Sequence, residues 1–216
     1  MNHIAPKLPE HTATYQQLRG LILFGNLVPG QAVTIQGLAE TLQAGLTPVR
    51  EAIRRLTAEG ALVEGGNRRV TVPEITRDAL EQISFARLAV EPRLTVYAAQ
   101  NMTDSCLEDL INIDRKVDLA IERGDINSYL EFNYRFHFRL YEQADAEVLS
   151  KIAASLWLQI GPSLRIVCGR YGTANLPDKH SEAVAALRAG QTETAAQAIA
   201  DDISQGMGQI RLSLGD

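Results

Sequence analysis

Between Thr12 and Val72 the spacing of apolar positions changes three times. Over 12–26, Leu18, Leu21, Ile22 and Phe24 recur at mixed helical spacing and predict a first helix. Pro29-Gly30 then reads as a turn. Thr34 opens a short helix whose Ile35, Leu38, Ala39 and Leu42 fall at i, i+3, i+4 and i+7. A tight turn around Gly45 follows. Thr47 is placed to cap the next helix, with Pro48 at its first position, where a missing N–H costs nothing. Val49, Ala52, Ile53 and Leu56 form the buried stripe of that helix, and Gly60 stops it. Two short β-prone runs, 61–64 and 69–72, flank Gly65-Gly66-Asn67 as a hairpin. Three helices followed by a hairpin is the order of a winged helix-turn-helix.

Pro73 marks a boundary. Beyond it the pattern is helical, with helices expected near 75–100, 104–123, 126–143, 147–170, 178–189 and 192–213. Glycines 124, 172 and 190 punctuate them. The expected fold is therefore mainly α. A winged helix-turn-helix over 1–73 precedes an all-helical bundle of about six helices over 74–216.

Composition adds two constraints. Aromatics make up only 6% of the chain against 45% hydrophobic residues, which suits a helical core of Leu, Ile, Val and Ala. No run of ~18 apolar residues predicts a membrane span, and the front end has no apolar core of a secretion signal, so a cytoplasmic protein is expected. Cys106 and Cys168 stand far apart in sequence and outside any CxxC pair, which fits reduced thiols.

Charge is uneven. Residues 1–76 carry seven Lys/Arg and six Asp/Glu, whereas 77–216 carry fourteen and twenty. The front arginines are clustered at 50, 54, 55, 68 and 69. On a helical wheel Arg50 and Arg54 share an exposed face, with Thr47 one turn earlier. Arg55 lies elsewhere, four residues from both Glu51 and Glu59, and is expected to pair on its own helix. Thr47, Arg50 and Arg54 are thus the candidates for a DNA major groove, where the arginine fork can bond a guanine edge or a phosphate twice. Arg68 and Arg69 at the hairpin tip would follow the DNA backbone or minor groove.

The stretch LAETLQAGLTPVREAIRRLTAEGALVEGGNRRVTV resembles the winged helix-turn-helix of GntR-type bacterial transcription regulators. LAE, TPVREA, RRL and EGALV match the family pattern. One departure stands out: Gly45-Leu46 occupies the place of the family's Ser-Arg, whose arginine contacts DNA. The resemblance implies a different operator, weaker binding, or a contact from Leu46 to a thymine methyl.

In the bundle, Asn133 and His137 lie at i and i+4, spacing that lets two side chains on one helix share a metal. From the residues alone a hydrogen-bonded packing histidine is the commoner reading of such a spacing. The bundle resembles the FCD ligand-binding domain of the FadR-like branch of GntR regulators. SFARLAVEPRLTVYAAQ carries its Arg-x-x-x-Glu through Arg87 and Glu91, NYRFH its acidic-to-histidine element, and DKHSEAVAALRAGQTETAAQAIADDI its tail. Many members bind a divalent metal through one Asp and three His. By position that set becomes Asn133, His137, His180 and Asp202 here. Two ligands are substituted, and Asp202 restores the carboxylate; donor softness then suits Zn, Ni or Mn.

The resemblance further implies a homodimer on double-stranded operator DNA, a small carboxylate effector grasped near the metal, and repression that the effector releases. Arg87 and Arg165 are the candidate effector arginines, the latter beside Pro162, which is expected to kink a long helix and open a cavity. Arg135 is expected in solvent, and Trp157, Tyr129 and Phe136 in the core. The alternatives are a metal-free acyl-CoA sensor and, with less support, a helical metal-dependent hydrolase or lyase.

Overall fold

In the computed structural model, residues 8–65, 69–171 and 177–215 are described. Helix α1 (Glu10–Leu23) buries Leu18, Ile22 and Leu23 against α3. Helix α2 (Ile35–Leu42) starts where Thr34 Oγ1 accepts from the Gly37 amide, as its sequence predicts. It ends on Gln43 in the left-handed region at φ 50°. Helix α3 (Leu46–Ala58) buries the expected stripe of Val49, Ala52, Ile53 and Leu56.

Two local expectations are corrected. Thr47 is not the cap of α3, nor Pro48 its first residue: the helix starts two residues earlier, at Leu46, with Gly45 as N-cap and no side chain capping it. The Gly45 amide instead donates to Glu10 Oε1 on α1, at 3.3 Å. The second correction is an extra strand. β1 (Ala32–Thr34), β2 (Val63–Glu64) and β3 (Arg69–Thr71) form one antiparallel sheet in the order β1-β3-β2. Ala32 pairs with Thr71 and Thr34 with Arg69, so the hairpin is anchored on the segment leading into α2. Three residues after a Pro-Gly turn are too few to display a period of two.

The bundle follows the sequence closely. It comprises α4 (Arg77–Gln100), α5 (Asp104–Arg123), α6 (Ile126–Glu142), α7 (Glu147–Tyr171), α8 (Lys179–Arg188) and α9 (Thr192–Ser213). Thr76, Thr103, Asp125 and Asp178 cap α4, α5, α6 and α8 through their side chains, which fixes these helix starts. α4 packs along α9, and α5 along α6. Both α4 and α7 run through an internal proline, Pro92 and Pro162.

The two domains share apolar packing. Trp157 and Leu158 of α7 lie in the same cluster as Leu18, Ile22, Leu38 and Leu56 of the front domain. Phe24 meets the Tyr134 ring edge-on, and Tyr134 stacks on Phe138 at 4.2 Å between centroids. Arg19 reaches across to the Tyr134 hydroxyl and the Ala154 carbonyl.

Candidate functional site

The first site is the exposed face of α3. Thr47, Arg50 and Arg54 all stand in solvent on it. Arg50 forms no ion pair among the described residues. Arg54 does, donating to Glu51 at 2.6 Å, so its expected freedom is partly taken up; its side chain stays 77% exposed. That pair is a surface contact worth little and easily exchanged for a phosphate. Arg55 pairs with Glu59 and lies over the Tyr15 ring at 3.7 Å, which ties it to its own domain as expected. Arg69 is exposed on β3, while Arg68 lies outside the described residues. Leu46 is 46% exposed at the start of the helix, on the side a groove would approach.

The second site is a cavity of about 260 Å³ in the bundle. α6 supplies Tyr129 and Asn133, α4 Arg87, and α7 Trp157 and Leu164. Asp114 and Asp118 come from α5, Asp178 to His180 from the start of α8, and Asp202 from α9. At its inner end three side chains converge. His137 Nε2 is 3.1 Å from Asp202 Oδ2 and 3.3 Å from His180 Nε2, and His180 Nε2 is 3.9 Å from Asp202 Oδ1. Their donor atoms can share one cation.

The outer partners of these histidines fix which nitrogen carries hydrogen. Tyr141 donates its hydroxyl to Glu91 at 2.6 Å. The Tyr141 oxygen, 3.1 Å from His137 Nδ1, must therefore accept from that nitrogen. His180 Nδ1 is 3.1 Å from the Asp114 carboxylate and must donate too. In its neutral form each imidazole therefore turns a bare Nε2 lone pair toward the other and toward Asp202. For His180 burial opposes charge, but the hydrogen bond to Asp114 and the charges of Asp202 and Asp114 outweigh it and hold its pKa above the usual value. Burial holds the His137 pKa below its usual value despite Asp202, which favours the neutral form. Three acceptors facing one point require a cation or a shared proton between them. The residues present fit a divalent metal.

A buried polar network stands behind. Arg87 donates to both Glu91 oxygens, at 2.5 and 3.2 Å, and Trp157 Nε1 donates to Glu91 at 2.8 Å. The Arg87 guanidinium lies over the Trp157 ring at 4.4 Å. Burial pushes the Glu91 carboxyl up, but Arg87, His137 and Tyr141 outweigh it and leave the net pKa low. Burial likewise opposes charge on Asp202, yet a proton shared with His137 and His180, and the Arg87 charge, bring it to about 2.

The expected residues thus divide. His137, His180 and Asp202 come together. Asn133 is buried one turn before His137, on the cavity wall. Arg87 reaches the cavity while paired to Glu91. Arg165 does not: it packs its stem on Gly25 of the front domain and donates to Asn127. Pro162 is not on the cavity wall either; α7 contributes Trp157 and Leu164. Trp157 is in the core as expected and also lines the cavity, Tyr129 lines the cavity, and Phe136 is fully buried and stacks on His180 at 3.9 Å. Arg135 is exposed and paired with Glu131, as expected of a solvated arginine. Asp114 was not anticipated, because its only signal is a contact between α5 and α8; Tyr141 follows His137 by four residues on α6, a spacing that could have pointed to it.

A winged helix-turn-helix ahead of an all-helical bundle with a buried polar cavity is the build of a two-domain transcription regulator. Family comparison agrees over both parts. Residues 11–72 match the model of bacterial regulatory proteins of the gntR family, and residues 82–205 match the FCD domain. The chain belongs to the gntR family of transcription regulators, with an FCD domain behind its helix-turn-helix. It is similar to the HTH-type transcriptional regulator McbR of Escherichia coli K12, at 29% identity over 95% of this chain and 92% of that protein. The solved McbR/YncC structure from E. coli superposes with a TM-score of 0.90, at 26% identity, covering 97% of this chain and 100% of the other. The HTH-type transcriptional repressor RspR of E. coli K12 is 27% identical over 66% of this chain and 63% of its own length. Among the described residues no helix is long and apolar enough to cross a membrane.

Proposed function

We propose that this chain is a cytoplasmic repressor, acting as a homodimer on near-palindromic operator DNA, whose affinity is set by a small organic acid held in the bundle beside a divalent metal. The observation that carries the effector half is the meeting of His137 Nε2, His180 Nε2 and the Asp202 carboxylate around one point. Zn, Ni or Mn suits two imidazoles and a carboxylate, with the Asn133 amide oxygen as a weaker neutral ligand. Bound there, such an ion supplies a Lewis-acidic anchor for carboxylate oxygens.

The chain's own residues do the rest. Asp114 and Tyr141 hold the two imidazoles in the tautomer that presents Nε2. Arg87 adds a fixed cation at the cavity wall. The cavity volume of about 260 Å³ favours a small acid over an acyl-CoA, since pockets for drug-sized ligands run to roughly 300–1,000 Å³. Trp157 offers the route outward: it lines the cavity, donates to Glu91 and packs in the front domain's core. A ligand that repositions Trp157 biases how the two α3 helices of a dimer meet successive major grooves, to the extent that it binds the two arrangements unequally.

On the DNA side Arg50, Arg54 and Thr47 read the groove, with Arg69 and Arg68 on the wing. The name of RspR supports repression, and the relatives' names support regulation over hydrolysis or lyase chemistry.

The test is operator binding under metal control. Anisotropy of a labelled duplex from upstream of the chain's own gene is measured with the protein chelated, then with Zn, Ni or Mn restored, and with small organic acids added. Release that needs both metal and acid supports the proposal; identical affinity in every condition refutes its effector half.

A further inference from the structure

The charges around the cavity are not those of a site for a plain acid. Four aspartates line it, Asp114, Asp118, Asp178 and Asp202, against two cations, Arg87 and Lys179. Both cations are already engaged. Arg87 is paired with Glu91, and Lys179 Nζ is 2.7 Å from Glu182 and 3.6 Å from Asp201. Asp202 and Asp114 serve the histidines. That leaves Asp118, on α5, and Asp178, which caps α8 by accepting from the Ser181 amide through Oδ1. Neither is ion-paired with a Lys or Arg among the described residues. Asp118 is exposed on α5, and burial first, then the charges of Asp114, Asp178 and Glu122, still push its carboxyl up against the opposing His180.

Two buried residues of the cavity wall offer different groups, whereas Asp118 and Asp178 are exposed. Asn133 is 8% exposed, sits on the wall, and its amide has no hydrogen-bond partner among the described residues. Arg87 spends Nε and Nη2 on Glu91, while Nη1 has no partner among the described residues. These are unspent hydrogen-bonding groups facing a space that can hold a ligand.

We propose that the cavity selects an amino acid-like effector: its carboxylate meets Arg87, Asn133 and the histidine end, and its ammonium meets Asp118 and Asp178. This rests on the carboxylate reading above and narrows it. A dicarboxylate of the same length would set its second charge against Asp118 and Asp178, and an unaminated acid would leave both aspartates without a counter-ion.

The single tryptophan lines the cavity, so its fluorescence reports occupancy directly. The full chain, loaded with zinc, is titrated with ω-amino carboxylates from glycine to 5-aminopentanoate. Each is compared with the unaminated acid and the dicarboxylate of equal carbon number. The expected result is that the best-fitting amino acid binds about tenfold tighter than either counterpart, the ratio one charge-assisted hydrogen bond supplies. Asp118→Asn should remove that preference while the unaminated acid still binds, which also shows that the variant is folded. Equal or tighter binding of the unaminated acid or the dicarboxylate to the unaltered chain overturns the inference and leaves the carboxylate reading standing. So does an amine preference that survives in Asp118→Asn. If no acid of any kind changes the fluorescence, the carboxylate reading fails and this inference with it.

Discussion

Gly161, midway along α7, lies against the Leu23 carbonyl at the end of α1, so close that any side-chain carbon at 161 would collide with it. Backbone meets backbone there, and the front domain is seated on the bundle without an intervening side chain. Gly161→Ala should therefore lower stability by about 1–3 kcal/mol, the cost of overpacking, although alanine is the better helix former. Gly208 in α9 is a matched control, since nothing stands within 4 Å of a carbon added there. Gly208→Ala should raise stability by about 0.5–1 kcal/mol. Urea unfolding of both variants checks the contrast, and a shift in the same direction for the two would contradict it.

The Arg87–Glu91 pair is fully buried and shared with Trp157 and Tyr141. Glu91→Gln keeps the shape but leaves a buried guanidinium without a counter-charge, a loss of about 3–5 kcal/mol at neutral pH. The pH sign follows from the lowered Glu91 pKa. Its contribution is complete above the usual carboxylate range and is lost as pH falls through the lower folded value. Thermal melts from pH 7 downward should show a shallower acid decline in Glu91→Gln than in the unaltered chain.

Metal should stabilise the chain through His137, His180 and Asp202. With zinc at a hundredfold above its dissociation constant the gain is about 2.7 kcal/mol, reversed by chelation. Differential scanning fluorimetry of the unaltered chain, His137→Ala and His180→Ala reads this out. The two variants should melt alike with and without zinc. A zinc shift that persists in either variant would move the metal elsewhere.

Leu46 stands where the family resemblance places a DNA-contacting arginine, and it is partly exposed at the start of α3. Leu46→Arg should tighten DNA binding and steepen the salt dependence, adding about 0.9 to the slope of log K against log salt for one new phosphate contact. A series of titrations between low and moderate salt measures that slope. An unchanged slope would show that the first residue of α3 does not reach the phosphates.

What could be read in advance follows from the physics of each feature. The bundle helices are long, capped by Thr76, Thr103, Asp125 and Asp178, and their bounds are local properties. The buried stripe of α3 is likewise local. β1 escaped because three residues carry no period, and the cap of α3 because Gly45 is held by Glu10 from another helix. His137 shares one helix face with Asn133 and with Tyr141, four residues to either side, so their alignment had a signal in the spacing. Asp114 orienting His180 and Tyr141 reaching Glu91 had none, because those contacts join different helices. Trp157 lies in the core as expected of a large aromatic, but only the assembled helices reveal that it also walls a cavity.

The measurement that bears most directly on the central claim is DNA-binding anisotropy of the unaltered chain and Arg50→Ala, each on the duplex upstream of its own gene and on a scrambled duplex. The account predicts tight, scramble-sensitive binding. Arg50→Ala should lose about tenfold or more, as one bidentate base contact of about 1–3 kcal/mol requires. Equal affinity of the unaltered chain for the native and scrambled duplexes, or no loss in Arg50→Ala, would contradict the assignment of α3 as the reader of this sequence.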